Sequence, residues 1–189
     1  MKTLYIISGC NGAGKTTASK SILPDMLHCR EFVNADEIAK GLSPFNPQSM
    51  NIEAGRLMIQ RIDKLLEGEE SFSVETTLSA KSYVNIIERA HNNGFFVQLI
   101  FFWLETPEAA VLRVAQRVIE GGHNIPEDVI LNRYFAGIRN FFRLYKNIVD
   151  VWLLINNERN PRVLIAQGGI GCEEQIMNVE LYNRFKDYV

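Results

Sequence analysis

The sequence predicts an α/β protein of three layers: a mostly parallel sheet with helices on both faces, and a helical lid at one end. Three observations predict it. Apolar runs of strand length alternate with segments of helical period, the order from which parallel sheets are built. The longest run, FFVQLIFFWL at 95–104, is continuous rather than alternating, as in a strand covered on both faces. Between the first strand and the first helix stands a glycine-rich turn, GCNGAGKT at 9–16.

In chain order, TLYIIS (3–8) reads as the first strand. A helix starts near Gly14 and runs to about Ile22, before Pro24. EFVNA (31–35) is the second strand. The segment 49–69 has helical period, with Ile52, Leu57, Ile59, Ile62, Leu65 and Leu66 toward one side. FSVE (72–75) is a third strand, and Ser79 to about Asn92 a helix closed by Asn93-Gly94. FFVQLIFFWL is the central strand. Thr106 caps the next helix with Pro107 in its first turn, and that helix fades at Gly121-Gly122. Pro126 opens another, with Ile130, Tyr134, Ile138, Phe141 and Tyr145 at steps of three or four. VDVWLLI (149–155) and RVLIAQ (162–167) are the last strands, and Cys172 to Lys186 is expected as a terminal helix.

The length of 189 residues suits one domain over 1–189. With 47% hydrophobic and 22% charged residues the chain has the composition of a globular protein with a substantial core. A net charge of −2 gives no bulk attraction to a polyanion, so nucleic acid is not favoured as a partner. Cys10, Cys29 and Cys172 are few and widely spaced, with no metal-binding pattern, which points to a reducing cytoplasm. The apolar N-terminal run is too short for a secretory leader and feeds a motif that must be retained. The run at 95–104 contains Gln98 and is too short to span a membrane.

GCNGAGKT fits GxxxxGK[ST] directly after a strand and before a helix, the context the phosphate-binding loop requires. The nucleotide-binding stretch is Gly9, Asn11, Gly12, Ala13, Gly14, Lys15, Thr16 and Thr17. Cys10 and Asn11 fill its tolerant positions and carry no separate role. Amides of Gly12, Ala13 and Gly14 can wrap the phosphates, and the helix N-terminus adds partial positive charge. Lys15 reaches the outer phosphates of ATP, and the Thr16 hydroxyl binds Mg²⁺. The fold is therefore a P-loop NTPase/kinase fold.

No NKxD or DxxG motif marks a GTPase. AQGGIG at 166–171 only superficially resembles an ABC signature, and the long strand ends Trp103-Leu104-Glu105 rather than Asp-Glu. A small phosphotransfer kinase remains. It needs a base opposite the loop, a lid, and arginines for the transferring group. Asp36 follows the second strand at the sheet edge where ligands bind, so it can take the acceptor's proton; the plainer role is a helix N-cap, and the two are compatible. Glu37 is a helix-start charge. Glu75 ends the third strand at the same edge and could hold the metal through water or bind an acceptor hydroxyl. One of Thr76, Thr77 and Ser79 is expected to cap the helix that follows. The stretch 113–134 reads as the lid. Arg113 and Arg117 share a helix face, Gly121-Gly122 is the hinge, and Arg133 lies beyond. Arg117 and Arg133 are the candidates for stabilising phosphoryl charge, against the commoner fate of a solvated basic face. His123 reads as a loop histidine, and Arg139, Arg143 and Lys146 as surface.

The ordered set GCNGAGKTT, VNADEIAKGLSP, FSVETTLS and RVAQRVIEGGHNIPEDVILNRY resembles the zeta toxin family of P-loop kinases, over residues 3 to about 168. The resemblance implies ATP-dependent phosphorylation of the sugar of UDP-N-acetylglucosamine and an antitoxin partner. It implies that Lys15 and Thr16 hold ATP and Mg²⁺, that Asp36 is the base for the sugar hydroxyl, that Glu75 and Thr77 line the acceptor and metal site, and that Arg117 and Arg133 clamp the phosphates. The chain departs from the pattern at Thr76, often glycine in the family, and lacks the extra C-terminal region of its best-known members. Two other readings stay open: a kinase of another small hydroxyl compound or of a nucleic-acid 5′ end, and a nucleotide-binding switch. A switch needs only the loop, so Asp36, Glu75 and the arginines together speak against it.

Overall fold

The computed structural model describes residues 1–22, 29–158 and 160–189. Its strands are β1 (Thr3–Gly9), β2 (Glu31–Val33), β3 (Phe72–Thr76), β4 (Phe96–Trp103), β5 (Val151–Asn156), β6 (Val163–Gly169) and β7 (Cys172–Ile176). Its α-helices are α1 (Lys15–Ile22), α2 (Ala35–Leu42), α3 (Asn51–Leu66), α4 (Tyr83–Asn92), α5 (Pro107–Ile119), α6 (Glu127–Arg143) and α7 (Val179–Lys186). Pro24, expected to stop α1, lies outside the described residues.

The strands form one sheet in the order β2-β3-β1-β4-β5-β6-β7. The first five are parallel, and β6 and β7 return antiparallel as a hairpin edge. The run at 95–104 does become the middle strand. Flanked by β1 and β5, it is buried on both faces, with Phe101, Phe102, Trp103 and Leu104 each at most 2% exposed. Burying each such side chain contributes roughly 1.5–3 kcal/mol. Phe141 of α6 and Phe185 of α7 pack on Phe101 at ring-centroid distances of 5.2 and 5.6 Å, which fixes both helices to one face.

Three expectations change away from the site. The expected terminal helix is a strand and a shorter helix. Gly171, at φ +71°, turns the chain so that Cys172–Ile176 pairs with β6, and Asn178 starts α7 by accepting the Leu181 amide at 3.0 Å. Lys146 is not a free surface charge, for it reaches that added strand, 2.8 Å from Glu174, and lies over the Phe142 ring. On α3 the buried stripe is Ala54, Met58, Ile62, Leu65 and Leu66, while Ile52 and Ile59 face solvent. The expected side kept Ile62, Leu65 and Leu66 but not Ile52 and Ile59, because the stripe of an α-helix is set by its neighbour, here anchored on small Ala54. No helix among the described residues is long and apolar enough to cross a membrane.

Candidate active site

The parallel strands β1 and β3 end side by side, with Ile7 opposite Glu75 and Ser8 opposite Thr76. The loop leaving β1 and the carboxylate ending β3 therefore meet. Gly14 takes φ +76°, and a Cβ there would lie 2.6 Å from the Asn157 amide nitrogen, so the position excludes larger residues twice over. That Asn157 nitrogen donates to the Ala13 carbonyl at 2.6 Å, tying the loop to the segment after β5. Ala13 is fully buried, and its amide, expected to face a phosphate, donates to Cys10 O at 3.2 Å, closing a turn. Gly9 ends β1 packed on the Phe102 backbone. Burial pushes the Cys10 thiol up to about 11, so it is not a nucleophile.

Lys15 is only 7% exposed. Its ammonium donates to Cys10 O at 2.9 Å and lies 4.0 Å from Glu75. The Thr16 hydroxyl lies 3.0 and 2.9 Å from the two Glu75 oxygens, within donating reach of both. Burial raises the Glu75 carboxyl above its ordinary range, opposed by the Lys15 charge and the Thr16 bond.

Asp36 is not the helix cap. Asn34 is: its side-chain oxygen accepts the Asp36 amide at 2.8 Å and the Glu37 amide at 3.4 Å. This shortens β2 to Val33 and leaves the Asp36 carboxylate free of capping. Asn34 with Glu37 three residues on is a capping pattern that could have been read from the sequence. Glu37 turns aside to Lys40 at 2.8 Å, and that bond holds its carboxyl below the usual range.

Neither Thr76, Thr77 nor Ser79 caps α4, which begins at Tyr83. They instead fold a tight turn. Leu78, at φ +60°, donates its amide to Thr76 Oγ1 at 3.0 Å, and the Thr77 and Ser79 hydroxyls lie 2.8 Å apart. Helix α6 holds this turn from the other side through Asn140, which donates to Leu78 O and Ser79 O, each at 2.9 Å. The same helix is anchored at Tyr134. Trp103 Nε1 donates to the phenol at 2.9 Å, and the phenol donates to Leu104 O at 2.8 Å.

These anchors place Arg133 on the loop, with Nη1 donating to Asn11 Oδ1 at 3.3 Å. Arg117 stands on α5, its Nη2 donating to His123 O at 3.1 Å and its buried Nε unpaired among the described residues. A cavity of about 310 Å³ is lined by Lys15, Thr16, Thr17, Asp36, Glu75 and Arg117, together with Asn11, Gly12, Gly14 and Arg113. A second of about 190 Å³ joins Asp36, Glu75, Thr77, Tyr83 and Arg133. A third of about 400 Å³ runs from Asp36 and Arg133 to Gln48 and His123. The predicted residues are thus brought together, apart from Gly9 and Ala13, which line none of the three cavities. Arg113 and His123 of the lid stretch join them, as do Tyr83 and Asn157 from segments with no short motif.

The family model described as Zeta toxin matches residues 1–168. The chain belongs to the zeta toxin family. An uncharacterised protein of Haemophilus influenzae is 34% identical over 126 residues, 67% of this chain and 88% of that protein. The fold matches a chain of the AvrRxo1-ORF1:AvrRxo1-ORF2 structure solved with sulphate ions, with a TM-score of 0.79 at 21% identity, covering 98% of this chain. This chain spans 63% of the matched chain there. The PezAT toxin–antitoxin system of Streptococcus pneumoniae matches with a TM-score of 0.68 at 17% identity over 100% of this chain and 86% of that one. A gluconokinase of Sinorhizobium meliloti 1021 shares the fold with a TM-score of 0.53 at 15% identity, over 84% of this chain and 83% of that one, and with the family it supports a kinase-like phosphotransferase.

Proposed function

We propose that this zeta-family chain moves the γ-phosphoryl group of ATP to a hydroxyl of a nucleotide-activated sugar such as UDP-N-acetylglucosamine. One observation carries the reading: Asp36 lines all three cavities, at the junction between the loop and the two chambers beyond it. A carboxylate there can accept the acceptor's proton as its oxygen attacks the phosphoryl group. The loop amides and Lys15 hold the phosphates. Arg117 on the loop side and Arg133 on the chamber side stabilise charge on the transferring group as the 113–134 segment closes. Thr77 and Glu75 line the acceptor side.

The donors suit Mg²⁺. Thr16 and Glu75 offer hard oxygens within 3.0 Å of each other. Among the described residues no group of three or more His, Cys, Asp or Glu side chains could hold a metal alone. An ion held by Thr16 and Glu75 would complete its shell with substrate phosphates and water. When bound, it neutralises charge building on the phosphate oxygens. ATP as donor is supported by the family and by the AvrRxo1-ORF1:ORF2 pair solved with ATP. The PezAT toxin–antitoxin system among the fold relatives supports an antitoxin as a partner here. The sugar nucleotide rests on the family resemblance.

The test is to incubate the protein with ATP, Mg²⁺ and UDP-N-acetylglucosamine and look for the phosphorylated sugar nucleotide by mass. Product from the wild type and almost none from Asp36→Asn is expected. No product despite tight ATP binding would rule out this acceptor, and hydrolysis of ATP indifferent to any acceptor would rule out the kinase.

A further inference from the structure

His123 has no place in the roles above, yet it stands between them. It sits in the loop joining α5 to α6, and its two ends face different parts of the site. Its backbone oxygen accepts from Arg117, which lines the loop cavity. The residue lines the chamber of about 400 Å³ that Asp36 opens into, and its ring feels the charges of Asp36 and Arg133, which line it too. No hydrogen bond to any described residue engages the imidazole. The loop is also tied across the chamber, where Gln48 Nε2 donates to Asn124 O at 2.9 Å. The charged groups around the ring are Asp36, Glu37 and Lys40 from α2, Arg117 from α5 and Arg133 from α6. Partial burial, helped by the three cations, keeps the imidazole below its ordinary range against the pull of Asp36, so the ring meets a ligand neutral.

The chamber's chemistry narrows what that ligand is. Beyond Asp36 and Arg133, its polar wall is uncharged: Gln48, Asn51, Asn124 and the imidazole. Pro47, Ile125 and Val129 supply apolar contact beside them. Carboxamides and a neutral imidazole both donate and accept, as a ring carrying several hydroxyl or amide groups requires, and the apolar patches suit the C–H faces of such a ring.

We propose that His123 is an acceptor-binding residue: its imidazole hydrogen-bonds a polyhydroxylated ring seated against Asp36, while its backbone oxygen holds Arg117 toward the phosphates. The proposal rests on the phosphotransferase reading and adds the residue that contacts the acceptor beside Asp36. It ties acceptor binding to the arginine on the opposite side of the reacting centre through a single residue.

Two measurements test it. The first needs no acceptor. The histidine ring signals are titrated by NMR in the wild type and in Asp36→Asn, with His123 identified by the signal missing from His123→Gln. Removing the Asp36 charge, which pulls the His123 pKa up, should lower it. An unmoved titration overturns the proposal, because the ring then does not face the chamber. The second uses UDP-N-acetylglucosamine as the probe. His123→Ala should raise its KM on the order of tenfold with the KM for ATP unchanged, and His123→Gln should recover part of the loss. Equal changes in both KM values, or none, overturn it. If the wild type does not turn over this sugar nucleotide, the acceptor named above fails, and the titration alone decides for or against His123.

Discussion

The Thr16 hydroxyl lies within 3.0 Å of both oxygens of Glu75, so the last residue of the phosphate loop and the last acidic residue of β3 are held as one unit. The contact crosses from the first strand to its parallel neighbour, and it keeps a carboxylate in a place where burial penalises its charge.

That penalty makes Glu75→Gln a test of stability as well as of function. A carboxyl whose pKa is raised by folding holds its proton more tightly in the folded chain. Stability therefore falls as pH rises from the ordinary carboxyl range through the raised pKa, and the full cost stands above it. At neutral pH the glutamine variant, without ATP or metal, should melt about 2–4 °C higher. The difference should vanish below about pH 4, where both states carry the proton. Melting curves across pH check this, and a variant less stable at neutral pH would mean that the bonds to Thr16 and Lys15 outweigh burial.

Asp36→Asn separates chemistry from binding. The change keeps shape and removes the base, so kcat should fall on the order of 10²–10⁴-fold. ATP affinity should hold within about threefold, since the loop's own contacts are untouched. Lys15→Met should do the reverse and weaken ATP binding first. Single-turnover assays beside equilibrium nucleotide binding distinguish the two patterns.

Gly137 lies inside α6, where alanine would ordinarily be favoured by about 1 kcal/mol. Here a Cβ would meet Thr77 O at 2.6 Å. The close approach wins, and Gly137→Ala should cost about 1–3 kcal/mol in chemical denaturation. It should also lower kcat, because pushing α6 from the turn after β3 displaces Arg133 from Asn11. Unchanged stability would show that the helix and the turn part freely.

Asn157→Ala removes the donor to Ala13 O and the acceptor of Arg162 Nε, bonds of 2.6 and 2.7 Å. A buried carbonyl left unpaired costs about 1–3 kcal/mol. The variant should lose thermal stability, and ATP binding should weaken about tenfold or less as the loop loosens. Calorimetric binding of ATP measures it, and an unaltered affinity would make Asn157 a purely structural tie.

Much of this was legible before any coordinates. GCNGAGKT, the carboxylates after two strand runs and the arginines around Gly121-Gly122 are local patterns, and local patterns carry the dihedral and hydrogen-bonding needs of a phosphate loop or a strand end with them. The continuous run at 95–104 determined its own burial, since a strand without polar alternation has no face to give to water. The sequence also held the Asn34 cap, visible in its spacing to Glu37.

What the tertiary structure decided are the relations between distant residues. CEEQI at 172–176 became a strand because β6 offers an open edge to pair with; nothing in those five residues prefers it to a helix. The polar turn 76–79 folded on itself rather than capping α4 because α6 meets it through Gly137 and Asn140. His123 gained a place in the chamber, and Arg117 its restraint, only once the loop between α5 and α6 closed against the turn at Gln48. A sequence fixes which groups a chain can offer; long-range packing settles which of them face the same cavity, because that choice depends on contacts dozens of residues apart.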